Sequence, residues 1–492
     1  MRLKSKSMRF DFDSETRRRL GYRLIDHIDS FYSSLPDRKV QLPLEQRNYG
    51  PLHHALPENG EDPGKVLDEL CRAMVEQGFH VPSANYFGLM NPTPTYMGVL
   101  AEALVAGLNP QLATLARSQL ASKIELETVR WIGERVGWPG DFNGTFTSGG
   151  NEANFSGLAL ALTSKFPHVV EEGVAAIAGQ PVLYASAESH HSLDKSAGLL
   201  GIGRKALRRI AVNQAAQLDP EILEQAIAED LAAGRKPFCA VATAGTTNSG
   251  TVDDLLALSS VCRRHQLWLH VDGAYGGVAI FSDQRRALVK GIERADSVTI
   301  DPHKWMAMPF AAGVILTSHP EVLERAFSVA APYMPKAEGA QLPDNSRIST
   351  QWTRRMNSLK LWLTLRVHGR RSYEELIDRQ LGLSKSFADW VTASEDFELA
   401  VSPTLPIVTF RLKPCGRSPQ RLAADHDNVV EEVTRDGSRW ISETKVRGES
   451  VLRMMVISYL TEEWHLQGLE SALTNAAKQL HKQPIDELET KA

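Results

Sequence analysis

Cysteine is scarce in this sequence. Four residues in 492 (Cys71, Cys239, Cys262 and Cys415) are scattered, and none forms a CxxC pair. That argues against a disulfide framework and a structural metal site, and for a reducing, cytoplasmic setting. No apolar run approaches the ~18–20 residues that a membrane span needs, so no membrane association is expected. An excess of one charge is also missing: 55 basic residues stand against 59 acidic ones, a net charge of -4. Without a basic field, nucleic acid is not an expected partner. The basic opening MRLKSKSMRF has no apolar segment behind it, so a secretory leader is not expected. Internal repeats and low-complexity tracts are absent, and no GxGxxG follows the first strand-like run.

What is present is ordinary globular composition, 42% hydrophobic and 23% charged. The length suits two or three domains at roughly 150 residues each. Residues 1–90 read as helices (Phe10–Ser34 and Pro63–Gly78) joined by a proline-rich connection. Val66, Leu67, Leu70, Met74 and Val75 share one side of the second helix, a face that needs a partner such as a second subunit. Residues 91–370 alternate apolar runs with helical patterns. The runs are Gly144–Thr147, Val182–Ala185, Lys205–Ile210, Phe238–Ala244, Leu267–Val271, Ser297–Ile300 and Gly313–Thr317. This is the pattern of an α/β domain with a mostly parallel sheet covered on both faces. Residues 371–492 read as a smaller α+β domain.

In such sheets ligands bind beyond the carboxyl ends of the strands. Five strand ends carry unusual residues. After the first run, Ser148-Gly-Gly-Asn151 opens a helix. It is either an anion cradle or, taken alone, a plain strand–helix turn with an Asn cap. Glu188-Ser-His-His-Ser192 offers two adjacent histidines that cannot both face one way. Thr246 and Thr247 end another run. Asp272 leaves the core strand LWLHV, either to meet a cation or to cap a helix. Lys304, in Asp301-Pro-His-Lys-Trp305, stands among bulky groups, a setting for a lowered pKa and Schiff-base chemistry, against the commoner solvent-seeking lysine. Together an anion cradle, a ring-facing histidine, a carboxylate, a hydroxyl and a lysine are what pyridoxal 5'-phosphate demands.

These segments resemble the group II decarboxylases of the fold-type-I pyridoxal-phosphate enzymes, which include aromatic-L-amino-acid, histidine and glutamate decarboxylases. Ser297-Val-Thr-Ile-Asp-Pro-His-Lys-Trp305 is similar to the lysine signature of that family. Trp268-Leu-His-Val-Asp-Gly-Ala-Tyr275 and Ala242-Thr-Ala-Gly-Thr-Thr247 resemble two further segments, and the likeness spans nearly the whole chain. The resemblance implies an aspartate-aminotransferase-like fold and a homodimer whose N-terminal segment wraps over its partner. It implies Lys304 as the cofactor lysine and Asp272 as partner of the pyridine nitrogen. His191 would stack on the ring and contact the substrate carboxylate, with Ala274 on the opposite face. Gly150, Asn151 and Asp301 would hold the phosphate, Thr247 would lie near the ring substituents, and His303 would assist proton transfer.

The implied reaction is decarboxylation of a small-molecule L-amino acid, most readily an aromatic one, to the amine and CO2. An acidic or aliphatic substrate, an aldehyde-forming variant of the reaction and a related carbon–carbon lyase stay open. Three positions depart from the family pattern. Asp301 stands where many animal members carry Asn. Counting without gaps puts Asn345 where aromatic members place a proton-donating tyrosine, leaving Tyr333, Tyr96 or His303 as other donors. Leu89 and Met90 replace aromatics at the presumed pocket mouth.

Overall fold

The computed structural model describes residues 10–48, 55–329 and 344–480. Each of the seven expected apolar runs forms a strand of one sheet. They are β1 (Asn143–Thr147), β2 (Pro181–Ser186), β3 (Leu207–Ile210), β4 (Lys236–Thr243), β5 (Trp268–Asp272), β6 (Ser297–Ile300) and β7 (Gly313–Thr317). Their order is β1-β7-β6-β5-β4-β2-β3. β7 runs antiparallel to both neighbours, and the other pairings are parallel. The carboxyl ends of every strand but β7 therefore meet along one edge of the sheet.

Why these runs are apolar throughout follows from the packing. Every residue of β5, β6 and β7 is buried. Alternate residues feed two cores: Leu269, Val271, Val298, Val314 and Leu316 on one face, and Trp268, Val241 and Ile315 on the other. A strand covered on both faces has no position for a solvated side chain, so the alternation of a half-exposed strand disappears. Helix Gly150–Lys165 lies across β4 to β7 on one of these faces.

A second sheet holds β8 (Phe397–Leu399), β9 (Ile407–Leu412), β10 (Ser442–Val446) and β11 (Glu449–Met455). Its order is β10-β11-β9-β8, antiparallel throughout. The core of this unit also takes in Phe87. Tyr86 bridges to Trp440 and stacks on its ring at 5.4 Å. The segment around Tyr86 thus packs on the C-terminal unit, although it lies within the stretch expected to be a separate N-terminal one. A long helix runs from Ser358 to Ala393, interrupted at Gly369 (φ 74°, ψ 169°). That left-handed backbone is open to glycine at no steric cost, which is how one helical pattern turns into two segments there.

The N-terminal helices are capped as their sequences suggest. Asp13 accepts from the Thr16 amide, and Asp62 accepts from the Lys65 amide with proline in the first turn. Helix Ser14–Ser34 buries no residue. On helix Pro63–Gln77, Val66, Leu70 and Met74 stay 44%, 47% and 66% exposed. Among the described residues, no helix is long and apolar enough to cross a membrane.

Candidate active site

A cavity of about 300 Å³ opens at the carboxyl edge of the large sheet. Gly150, Asn151, Thr247, Asp272, Ala274, Asp301, His303 and Lys304 all line it. His191, expected to stack on the ring, does not. Its side chain is 93% exposed and meets Asp194 at 3.2 Å, a carboxylate also held by Arg209 at 2.6 Å. The histidine on the wall is His190. The cause is local. His191 has already entered helical backbone (φ -67°, ψ -3°) as the residue before helix Ser192–Leu199. Successive helical side chains diverge by about 100°, so when one ring points inward the next points out. The Ser192 amide donates to His190 Nδ1 at 3.1 Å, which leaves the ring proton of neutral His190 on Nε2. Burial holds His190 below the usual histidine range.

The turn from β1 into helix Gly150–Lys165 presses against the turn that carries Lys304. A Cβ on Gly149 (φ 153°) would lie 2.9 Å from the His303 ring, and one on Gly150 would lie 2.7 Å from Asp301 Oδ2. Only glycine permits this approach. The first-turn amides of that helix have no acceptor within the helix, and Gly150 and Asn151 line the cavity. Ser148, expected to join them, is exposed, and its amide is taken by Glu152 Oε2 at 2.7 Å.

Two carboxylates stand on the wall in different company. Asp272, at the end of β5, accepts from Asn154 Nδ2 at 2.9 Å and from the Ala274 amide at 3.2 Å. Asp301 is 1% exposed, with Lys304 Nζ at 3.2 Å and His303 Nε2 at 3.6 Å from its Oδ2. His303 Nδ1 accepts from the Ala312 amide at 3.0 Å, so in the neutral ring Nε2 carries the proton toward the cavity. Burial pulls His303 below its usual range despite the attraction of Asp301.

The proton-donor candidates separate clearly. Asn345 is 2% exposed and donates to Ser122 Oγ at 3.0 Å, inside the protein and off the cavity wall. The residue belongs to a packed 3-10 turn, Asn345–Arg347. Tyr333 lies outside the described residues. Tyr96 lines a separate cavity of about 490 Å³ with Tyr373 and Tyr459. Of the three described candidates, His303 is the one on the wall of the site.

Several wall residues escaped the sequence reading. Besides His190 they include Asn154, Thr243 and Tyr275, whose ring stacks on Trp305 at 5.1 Å. Met90 lines the site, whereas Leu89 is 48% exposed. Among the described residues no cluster of His, Cys, Asp or Glu is placed to hold a metal ion.

Comparison with known proteins settles the family. The family model described as "Pyridoxal-dependent decarboxylase conserved domain" matches residues 44–413. The chain belongs to the pyridoxal-dependent decarboxylase family. An aromatic-L-amino-acid decarboxylase of Bacillus atrophaeus is 31% identical, over 92% of this chain and 93% of its own. A phenylacetaldehyde synthase of Arabidopsis thaliana is 29% identical, over 92% and 94%. The crystal structure of mouse CSAD superposes with a TM-score of 0.88 at 26% identity, covering 95% of this chain and 99% of that one. The protein is thus a pyridoxal-phosphate-dependent carboxy-lyase with the fold expected from its sequence.

The cavity fits that cofactor on its own terms. It offers an amine (Lys304), a carboxylate at a strand end (Asp272), and glycines whose missing side chains leave room beside free helix amides.

Proposed function

We propose that this pyridoxal-dependent decarboxylase acts on aromatic L-amino acids, releasing CO2 and the amine, as a cytoplasmic homodimer. The observation that carries the reading is the wall of the site. Lys304, the one lysine among its described residues, is the amine the cofactor requires, and its histidines His190 and His303 are held below their usual range by burial. Two carboxylates, Asp272 and Asp301, face the same space. An acidic substrate side chain would meet negative charge with no free cation on the described wall, and an uncharged ring would not. Met90 and Tyr275 add apolar surface. The 31% identical relative named for aromatic substrates supports the same choice.

In this reading Lys304 Nζ would hold the cofactor aldehyde and Asp272 would keep its ring nitrogen protonated. The Gly150 and Asn151 amides would bind the phosphate, and His190, Ala274 and Thr247 would pack around the ring. Bound pyridoxal phosphate supplies the sink for the electron pair left when CO2 departs. His303, with its proton on Nε2, would return a proton to the substrate carbon. Asp301, 1% exposed beside Lys304, sets the charge next to the amine. The open apolar face of helix Pro63–Gln77 supports the dimer. The same reading divides the chain into three units at 90 and 370, with the Gly369 break beside the second boundary.

The test is a panel of aromatic, acidic and aliphatic L-amino acids, read by CO2, amine, aldehyde and peroxide. Amine and CO2 in equal amounts from aromatic substrates are expected. Preference for an acidic substrate would overturn the substrate assignment. Aldehyde with peroxide under air would overturn the assignment of product and of His303.

A further inference from the structure

Behind Asp272 runs a chain of hydrogen bonds that the reading above does not use. Asn154 Nδ2 donates to Asp272 Oδ2 at 2.9 Å and to Ser192 Oγ at 3.0 Å. An ionised carboxylate only accepts, so the amide nitrogen must face it, and Asn154 Oδ1 is left facing His270 Nε2 at 3.1 Å. That oxygen also only accepts, so His270 carries its proton on Nε2. Its Nδ1 then accepts from the Ser297 hydroxyl at 2.8 Å. Ser297 Oγ in turn accepts from the Trp268 indole N–H at 2.8 Å. Donors follow one another in a single direction, from Trp268 to Asp272.

The chain is enclosed. Asn154 is 1% exposed, and His270 and Ser297 are 0% exposed. Burial pushes His270 down to about 4, so at neutral pH the ring is uncharged and keeps one tautomer. Space for the ring comes from helix Gly150–Lys165, where a Cβ on Gly157 would lie 2.4 Å from His270 Cε1. An amide has nearly the same shape when its oxygen and nitrogen are exchanged. A donor at Oδ1 therefore holds the amide from the side opposite the carboxylate, and both ends of Asn154 favour one orientation.

We propose that His270 and Asn154 are positioning residues: His270 locks the Asn154 amide so that its N–H meets Asp272 and aims the carboxylate at the cofactor ring nitrogen. The proposal rests on the role given to Asp272 above. His270 then acts only through Asn154, which makes it testable by non-additivity.

The experiment measures pyridoxal-phosphate dissociation by equilibrium dialysis of the full-length protein, with kcat and KM alongside. The variants are Asn154→Ala, His270→Phe, His270→Gln, the Asn154→Ala/His270→Phe pair and Asp272→Asn. Loss of such outer supports typically costs about 10–100-fold, and a loss of that order is expected for Asn154→Ala and His270→Phe. It should fall on cofactor affinity and kcat more than on KM. The double variant should be no worse than Asn154→Ala, and His270→Gln, which keeps a donor for Oδ1, should regain most of the loss. Multiplying losses in the double variant, or wild-type affinity and kcat in Asn154→Ala, would overturn the proposal. Asn154→Ala and His270→Gln carry the test if His270→Phe does not fold. Should Asp272→Asn itself keep wild-type affinity and turnover, the role of Asp272 fails; if only that variant is impaired, the positioning proposal alone fails.

Discussion

Lys304 Nζ lies 3.2 Å from Asp301 Oδ2, an ion pair in which the carboxylate is 1% exposed and the lysine 23%. Removing the lysine leaves a buried carboxylate without its cation. Lys304→Ala is expected to abolish turnover and to destabilise the cofactor-free protein by about 1–3 kcal/mol, less than for a fully buried pair because the lysine is partly solvated. Adding Asp301→Asn should restore stability without restoring turnover. Urea unfolding of the two variants checks this. Equal stability of Lys304→Ala and wild type would contradict it.

His190 and His191 are neighbours in sequence with opposite surroundings, one on the cavity wall and one 93% exposed. His190→Ala is expected to lower kcat at least ~10-fold and to weaken cofactor binding. His191→Ala should stay within about 2-fold of wild type, since exposed positions of this kind contribute little. Steady-state kinetics with cofactor titration separates them. The reverse pattern would return the ring-stacking role to His191.

Arg354 and Glu125, 1% and 2% exposed, pair at 2.6 Å between helix Gln119–Val136 and the segment after residue 343. Arg354 Nη1 also donates to Thr145 Oγ1 and the Phe146 carbonyl, so the pair braces β1 just before the Gly149–Gly150 turn. Arg354→Ala should cost about 3–5 kcal/mol, because the glutamate stays buried without its cation. An Arg354→Met/Glu125→Leu double variant should recover much of that. Denaturant unfolding of both variants is the check.

Acid should destabilise the folded chain in a defined window. His270 and His426 are both pushed down by burial, each to about 4 from 6.5. Between those values the unfolded chain binds their protons and the folded chain does not, so their stabilisation is present above pH 6.5 and is lost toward pH 4. Asp253 opposes them: burial raises it from 3.8 to about 6, so its folded form takes up a proton in nearly the same window. Two protons against one leave a net loss of at most about 1.4 kcal/mol per pH unit from these groups. His426→Gln should flatten that slope. Urea midpoints at pH 6.5 and pH 5 measure it, and stability that rises on acidification would contradict the assignment.

The strands of the large sheet were legible because burial on both faces writes a continuous apolar run. The residues at their ends were legible because polar groups following such runs have few other uses. His190 was obscured by its twin, since a turn decides which ring faces in and a turn leaves no periodic trace. Asn345 was reached by gapless counting, which cannot see loop length. His270 carried a usable signal: it lies two residues before Asp272 on the same strand, hence on the same face, a lone histidine in an apolar run. Asn154 lies four residues after Gly150, one helical turn from the cradle. Neither pattern identifies a partner until the fold brings helix and strand together.

The site is tested most directly by CO2 release from an aromatic L-amino acid, measured with matched amine under saturating pyridoxal phosphate, for the wild type, Lys304→Ala and Asp272→Asn. Equal CO2 and amine from the wild type, none from Lys304→Ala and a loss of about 100-fold or more from Asp272→Asn are expected. Undiminished CO2 release by Lys304→Ala, or no release by the wild type from any aromatic substrate, would contradict the assignment.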